Sequence, residues 1–315
     1  MPRQKTKRNF PDFDATEEEK RFGTPTEVAQ YRAKRLKCNT ILEIGAGVGF
    51  QTVEFAKTCK KVISVEIVPG RVIRAKKNLR GVKNVEFHTA NALDKDFIKQ
   101  LPNIDIIFCD PGRPPTEETR KKASLSPPLE ELQKAYKNIT EEIAYEVPPH
   151  LKDLPKEAEK EFLTYFGQLN RLTLYFNKLK QRDLSVIDVP SNERLEPTKE
   201  KPKAREEPMF IGDINQAIIK ADLVDALAVK TKSQPYKEDN KTVLLSDHCL
   251  ESPFVRWYRI ISEGTNVKGK DVVLHYPIPE GEYNKEKKQF IFESGKKNVH
   301  IFKINNKLIQ TEKPS

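Results

Sequence analysis

An α/β fold is what this sequence predicts: an open, mostly parallel sheet with helices on both faces, followed by a smaller α+β domain. Three observations predict it. Strand-like and helix-like runs alternate from residue 40 to residue 110. Three glycines, Gly45, Gly47 and Gly49, follow the first strand-like run at alternating positions, in "TILEIGAGVGFQT". Polar residues close the next three strand-like runs: Glu66, Asn91 and Asp110. Ligands of open α/β sheets bind at those strand ends.

The elements follow in order. Residues 1–23 read as an irregular basic extension, charged, with isolated Phe10, Phe13 and Phe22. "TPTE" then predicts a helix start, with Thr24 as N-cap, Pro25 at the first helical position and Glu27 completing a capping box. Val28, Tyr31 and Leu36 give that helix an apolar face. "TILEIGA", "KVISVEI", "VEFHTA" and "IDIIFCD" are strands, separated by the helices "QTVEFAKTC", "RVIRAKKNLRG" and "DKDFIKQL". "PPLEELQKAYKNI" is helical and "EIAYEVP" is a fifth strand. "EFLTYFG", "RLTLYFN" and "DLSVIDVP" are apolar and aromatic, and are expected to end the sheet. The first folded domain is therefore set at 24–192, and 193–207 reads as a linker, with Leu195 its one large aliphatic residue. From 208 to 315 the expectation is an α+β domain, with "INQAIIKADLVDALAVKT" as one amphipathic helix before several strands.

Composition narrows the function classes. No run approaches the ~20 apolar residues needed to cross a bilayer. The basic N-terminus lacks the apolar stretch of a signal peptide, so a soluble cytoplasmic protein with no membrane partner is expected. The cysteines, Cys38, Cys59, Cys109 and Cys249, form no CxxC, and the five histidines are scattered, so no metal is expected. Net charge is +10, of which residues 205–315 carry only +2. That excess favours a nucleic-acid partner, RNA in the reading below. The six basic residues between Arg71 and Lys83 read as a solvated helix face, away from the expected substrate mouth.

Glycine at alternating positions before a helix lets backbone approach a ligand closely. The run Glu43-x-Gly45-x-Gly47-x-Gly49 departs from the G-x-G-x-x-G dinucleotide fingerprint. An acidic residue placed as Glu66 is can hold both ribose hydroxyls of a nucleoside. An amide at Asn91 is placed to reach an adenine edge.

"EIGAGVG", "VEI", "ANA" and "CDPG", in this order and spacing, resemble class I S-adenosylmethionine-dependent methyltransferases. The resemblance implies a Rossmann-like, seven-stranded, mostly parallel sheet and S-adenosyl-L-methionine as cofactor. It places Gly45, Ala46, Gly47 and Gly49 under the methionine portion and Glu43 near the methionine amino group. Glu66 would hold the ribose, with Ile67 also in the cofactor site and Asn91 and Ala92 near the adenine. More narrowly, "FGTPTEVAQYRAKRLKCNTILEIGAGVGFQT" resembles methyltransferases that include the RNA cap guanine exocyclic-amine enzymes. Those carry Thr-Pro-Glu and G-x-G-G-x-T, where this chain has Thr26 and Phe50 as departures. Residues 22–310 are more similar to prokaryotic methyltransferases with a C-terminal THUMP-like domain. The likeness rests on Asp110-Pro111-Gly112-Arg113, "INQAIIKADLVDALA" and "ESPFVRWYRI".

In methyltransferases acting on exocyclic amines, an Asp or Asn followed by Pro-Pro-aromatic orients the amine. The resemblance thus implies that Asp110 and Pro111 are the catalytic pair, working by positioning. Gly112 and Arg113 replace the second proline and the ring, so a stacking ring must come from elsewhere, with Phe50 and Phe22 as candidates. Arg113 suits either a phosphate or a structural carboxylate. Carbon-5 chemistry on uridine would need a cysteine nucleophile; the fifth strand has none, and Cys109 alternates away from Asp110. In "SPFVRWYRI" most apolar side chains are expected in a core, leaving Arg256 and Arg259 for RNA. The expected function is methylation of an exocyclic or ring nitrogen of an RNA base. A protein or small-molecule methyltransferase, or a non-catalytic RNA-binding protein, are the alternatives.

Overall fold

The computed structural model describes residues 9–112, 125–151, 153–204, 207–293, 295 and 297–314. The chain divides into two compact units between Asn192 and Glu193.

The first unit opens with two helices, α1 (Glu17–Phe22) and α2 (Thr26–Arg35). Strands and helices then alternate: β1 (Thr40–Ile44), α3 (Thr52–Thr58), β2 (Lys61–Glu66), α4 (Pro69–Asn78), β3 (Val85–Thr89), α5 (Lys95–Lys99) and β4 (Ile106–Cys109). After them come α6 (Leu129–Tyr136), β5 (Ile143–Val147), β6 (Glu159–Tyr165), β7 (Gln168–Tyr175) and β8 (Leu184–Asp188). The sheet order within this unit is β3-β2-β1-β4-β5-β7-β6-β8, eight strands where seven were expected. Pairing is parallel from β3 to β5, antiparallel at β7, and parallel again between β6 and β8.

The central strands are buried along almost their whole length, as both-face coverage by helices requires. Beneath one face, Phe55 of α3 meets Phe108 of β4 edge-on at 5.4 Å, within a cluster holding Leu36, Ile41 and Val62. Burying a ring such as Phe55 contributes about 2–3 kcal/mol. Cys38 and Cys59 lie in the same region, with their sulfurs 3.8 Å apart. β1 sits between β2 and β4, so Ile44 is level with both Val65 and Cys109. That register brings the ends of three strands together.

Several sequence expectations are corrected. Residues 17–22 are helical, because Thr16 and Glu19 make the capping box that was placed at Thr24. α2 begins at Thr26, with Pro25 as an N-cap that makes no side-chain bond. Glu27 instead accepts from Tyr165 Oη at 2.8 Å, an interaction between residues far apart in sequence. The segment 193–207 includes a short strand, β9 (Glu193–Leu195).

The second unit carries β10 (Phe210–Ile214), α7 (Gln216–Lys220), α8 (Val224–Lys230), β11 (Gln234–Glu238), β12 (Lys241–Ser246) and β13 (Val255–Glu263). It continues through β14 (Asn266–Lys268), β15 (Asp271–Leu274), α9 (Tyr283–Lys287), β16 (Ile291–Glu293), β17 (Asn298–Ile304) and β18 (Lys307–Glu312). Its main sheet runs β11-β12-β10-β13-β18-β17-β15. The single helix expected over 214–231 is two, broken at Asp222, whose φ is +55°. Phe254, Val255, Trp257 and Tyr258 are buried as expected, and Arg256 and Arg259 are exposed.

Candidate active site

The loop between β1 and α3 contains three glycines with positive φ: +85°, +57° and +96° at Gly45, Gly47 and Gly49. Each is glycine for a different reason. A Cβ on Gly45 would sit 2.2 Å from the Asp110 carbonyl oxygen, so here it is a neighbouring strand end that approaches. A Cβ on Gly49 would sit 2.6 Å from Leu79 Cδ1, beyond α4. A Cβ on Gly47 would meet nothing within 4 Å. Only at Gly47 does the chain turn its bare face to open space, and there the conformation itself requires glycine.

Glu43 lies in the middle of the buried run of β1, 1% exposed. Its Oε2 accepts from Thr52 Oγ1 at 2.6 Å and from Ser64 Oγ at 2.7 Å. Burial, outweighing these two hydroxyls, pushes its carboxyl up to about 7. The nearby guanidinium of Arg32 is itself ion-paired with buried Glu146 and lies 4.5 Å from the Phe108 ring centre. Arg32 also donates to Gln51 Oε1 at 2.8 Å, and Gln51 donates to the Ala29 carbonyl at 3.1 Å. This network ties the glycine loop to α2.

Glu66 ends β2 and is 6% exposed. Its Oε2 accepts from the Gly47 amide and its Oε1 from the Val68 amide, both at 3.0 Å. A carboxylate has about four lone-pair sites, so both oxygens retain accepting capacity. Ile67 beside it is 65% exposed. Asn91 is exposed, and its Oδ1 accepts from the Leu93 amide at 3.0 Å, closing an Asx turn. Ala92 is buried, and its carbonyl accepts from Tyr136 Oη at 2.7 Å.

Asp110 follows β4, and its amide donates to the Ile44 carbonyl at 3.0 Å. Pro111 is buried and Gly112 exposed, with Gly112 bridged to Ser126 through two backbone hydrogen bonds. Cys109 is fully buried, and burial raises its thiol well above the usual range, which suits a packed side chain and not a nucleophile. Arg113 lies outside the described residues.

One cavity joins Glu43, Gly45, Ala46, Gly47, Phe50 and Asp110. Glu66 stands behind the wall, bonded to the Gly47 amide and 3.9 Å from Arg71, while Gly49, Ile67, Asn91 and Ala92 are not among its walls. The N-terminal segment supplies two walls that sequence reasoning missed, Glu18 and Glu19, beside Phe22, a ring the sequence had offered as a candidate. The signal was present in "TEEE", residues 16–19, a capping box that contains both glutamates. Phe10 and Phe13 lie on the Phe50 ring, with centroids 4.9 and 5.7 Å away. Glu19 pairs with Arg74, and Asp14 with Lys77 at 2.8 Å. The basic face of α4 is therefore partly covered by acidic groups. Arg71 lines the cavity, contrary to the expectation that this helix lies away from the site.

S-adenosylmethionine, the cofactor implied by the resemblance, fits these residues. The space above Gly47 admits a ligand, and the buried Glu43 carboxylate matches its ammonium group.

A family model described as "Methyltransferase domain" matches residues 37–200. A provisionally named methyltransferase from Porphyromonas gingivalis W83 superposes with a TM-score of 0.71 at 13% identity, covering 95% of this chain and 83% of that one. This likeness shows the fold. The probable ribosomal RNA small subunit methyltransferase A of Methanosarcina acetivorans is 44% identical over 59 residues, and that of Methanosarcina mazei 41%. These stretches cover 19% of this chain and 22% of each relative, so the chain matches about a fifth of the length of those curated proteins. With the family match extending over more than half of its residues, the chain belongs to the methyltransferase-domain family, whose members on this fold take their methyl group from S-adenosylmethionine.

Proposed function

We propose that this enzyme methylates a nitrogen of an RNA base, with Asp110 orienting the acceptor. The observation that carries the proposal is the place of Asp110: its carbonyl lies against Gly45, and it shares a cavity with Glu43 and Gly47. The cofactor supplies a methyl group already activated on a sulfonium. What remains for the protein is positioning. Glu43 binds the cofactor's ammonium, Gly47 leaves room for its backbone, and Glu66 accepts from its ribose hydroxyls. The Asp110 carboxylate and the neighbouring backbone accept hydrogen bonds from the base amine and hold its lone pair in line.

Three observations favour RNA as the acceptor. The chain is basic, with net charge +10. The curated relatives named above are ribosomal RNA methyltransferases, although the match is short. Exposed Arg256 and Arg259 are available to the RNA backbone, Arg259 sharing its charge with Glu312 at 2.9 Å. The second unit, THUMP-like by its sequence motifs, contributes RNA binding in this reading.

The test is transfer from methyl-labelled S-adenosylmethionine to total RNA from cells lacking the gene, followed by nucleoside mass spectrometry. The expected product is one methylated nucleoside that disappears with Asp110→Ala. Label moving to protein or to small molecules would overturn the proposal.

A further inference from the structure

The Asp110-Pro111-Gly112 turn offers no ring to a flat base, since Pro111 is buried and Gly112 has no side chain. Three aromatic rings line the cavity among its described residues: Phe108, Phe50 and Phe22. Two are already covered. Phe108 is 1% exposed, with the Arg32 guanidinium on one side and Phe55 on another. Phe50 is 6% exposed beneath Phe10 and Phe13, and Gly23 has no Cβ because one would lie 2.8 Å from its ring. Phe22 differs. It is 64% exposed and borders the same cavity as Asp110.

Such exposure costs hydrophobic free energy, yet the ring is carried on a tethered segment. The Thr16–Glu19 capping box starts its helix, Glu19 pairs with Arg74, and Arg171 donates to the carbonyls of Phe22 and Gly23 at 3.4 Å. Arg21 lies over one face of the ring, 5.4 Å from its centre, and adds a cation there. A ring held at a cavity mouth with an open face is a stacking platform, and every base has a π-face to meet it.

We infer that Phe22 stacks on the acceptor base and replaces the aromatic residue missing after Asp110-Pro111. The inference rests on the proposed RNA-base acceptor and assigns Phe22 as the recognition residue of that site. It places the acceptor between α1 and the end of β4, which border the same cavity.

The experiment measures initial rates of methyl transfer against concentration of RNA from cells lacking the gene, for wild type, Phe22→Ala and Phe22→Trp. Calorimetric titration with S-adenosylmethionine runs in parallel. The expected result is a 5- to 100-fold fall in kcat/KM for RNA with Phe22→Ala, about the range of losing one base stack. Phe22→Trp restores kcat/KM to within about threefold, and both variants keep cofactor affinity within about twofold. A Phe22→Ala enzyme as efficient as wild type overturns the inference while leaving the RNA acceptor intact. Loss of cofactor affinity with an unchanged KM for RNA also overturns it, assigning the ring to the cofactor side. A wild-type enzyme that labels no RNA overturns both readings together.

Discussion

Glu43 in the first unit and Asp213 in the second are both largely removed from water, and their surroundings treat them in opposite ways. Glu43 is bonded to two neutral hydroxyls, and burial pushes it up to about 7. Burial also pushes Asp213 upward, but His275 and Lys241 beside it outweigh that and hold it down at about 2. His275 in turn meets His300 at 2.8 Å. Burial first, and then the neighbouring His275, Lys313 and Arg256, lower His300 to about 4. Asp213 is thus a member of a paired, half-buried network. Glu43 is a buried acid at a cavity wall whose bonded neighbours carry no charge. A carboxylate left in that state is suited to a cation that arrives with the ligand.

The largest expected effect separates positioning from binding. Asp110→Ala should lower methyl transfer about 100-fold or more. Affinity for S-adenosylmethionine, read by calorimetry, should stay within about twofold. A variant that transfers methyl groups normally would remove Asp110 from the site.

Next comes the paired carboxylate. Asp213→Asn should lower stability by about 2 kcal/mol, because Lys241 and His275 lose their half-buried charged partner. Denaturant unfolding of the second unit measures this, and cofactor affinity should not change. The pH dependence has a definite sign. A group held at about 2 against its ordinary 3.8 adds stability above about pH 4, lost as pH falls toward 2. Glu43 works the other way. Its ordinary 4.5 is raised to about 7, so its ionisation subtracts stability as pH rises from 4.5 to 7. Unfolding of Glu43→Gln across that window should therefore show a stability advantage over wild type that grows with pH. A constant difference would show that the surroundings of Glu43 do not favour its neutral form.

The smallest effect concerns Gly47. Gly47→Ala should cost about 1 kcal/mol of stability, from a φ of +57° alone, since its Cβ meets no atom. Its cost should appear mainly as weaker cofactor binding, seen by comparing thermal unfolding with and without S-adenosylmethionine. Equal ligand-induced shifts in wild type and variant would mean that the open space above Gly47 is not the cofactor's.

Much of this site was legible because it is local. Strand, glycine turn, helix and strand-end acid recur within short windows, and burial on both faces leaves Glu43 conspicuous in "TILEI". The alternation of strand-like and helix-like runs likewise implied the parallel pairing seen from β3 to β5. What was not legible depends on contacts between distant segments. Nothing in Gly45 or Gly49 tells which of three approaching groups is a ligand, until Asp110 and Leu79 are found beside them. Glu27 read as a capping residue because Tyr165, its partner, lies 138 residues away. Phe10 and Phe13 looked isolated until Phe50 met them. The helix over 17–22 is different: its capping box was readable, but the charge-rich composition around it obscured the signal.

The central claim is that Glu43 is held ready for a cationic ligand, and one titration tests it most directly. S-adenosylmethionine affinity is measured by calorimetry for wild type and Glu43→Gln from pH 6 to 7.5. The ratio of the two cancels changes in the ligand's own ionisation. The account predicts that wild type binds about 10- to 100-fold more tightly at pH 7.5, as a charged hydrogen bond implies. The advantage should shrink as pH falls below about 7 and the Glu43 carboxyl gains a proton. Equal affinities at every pH would contradict it.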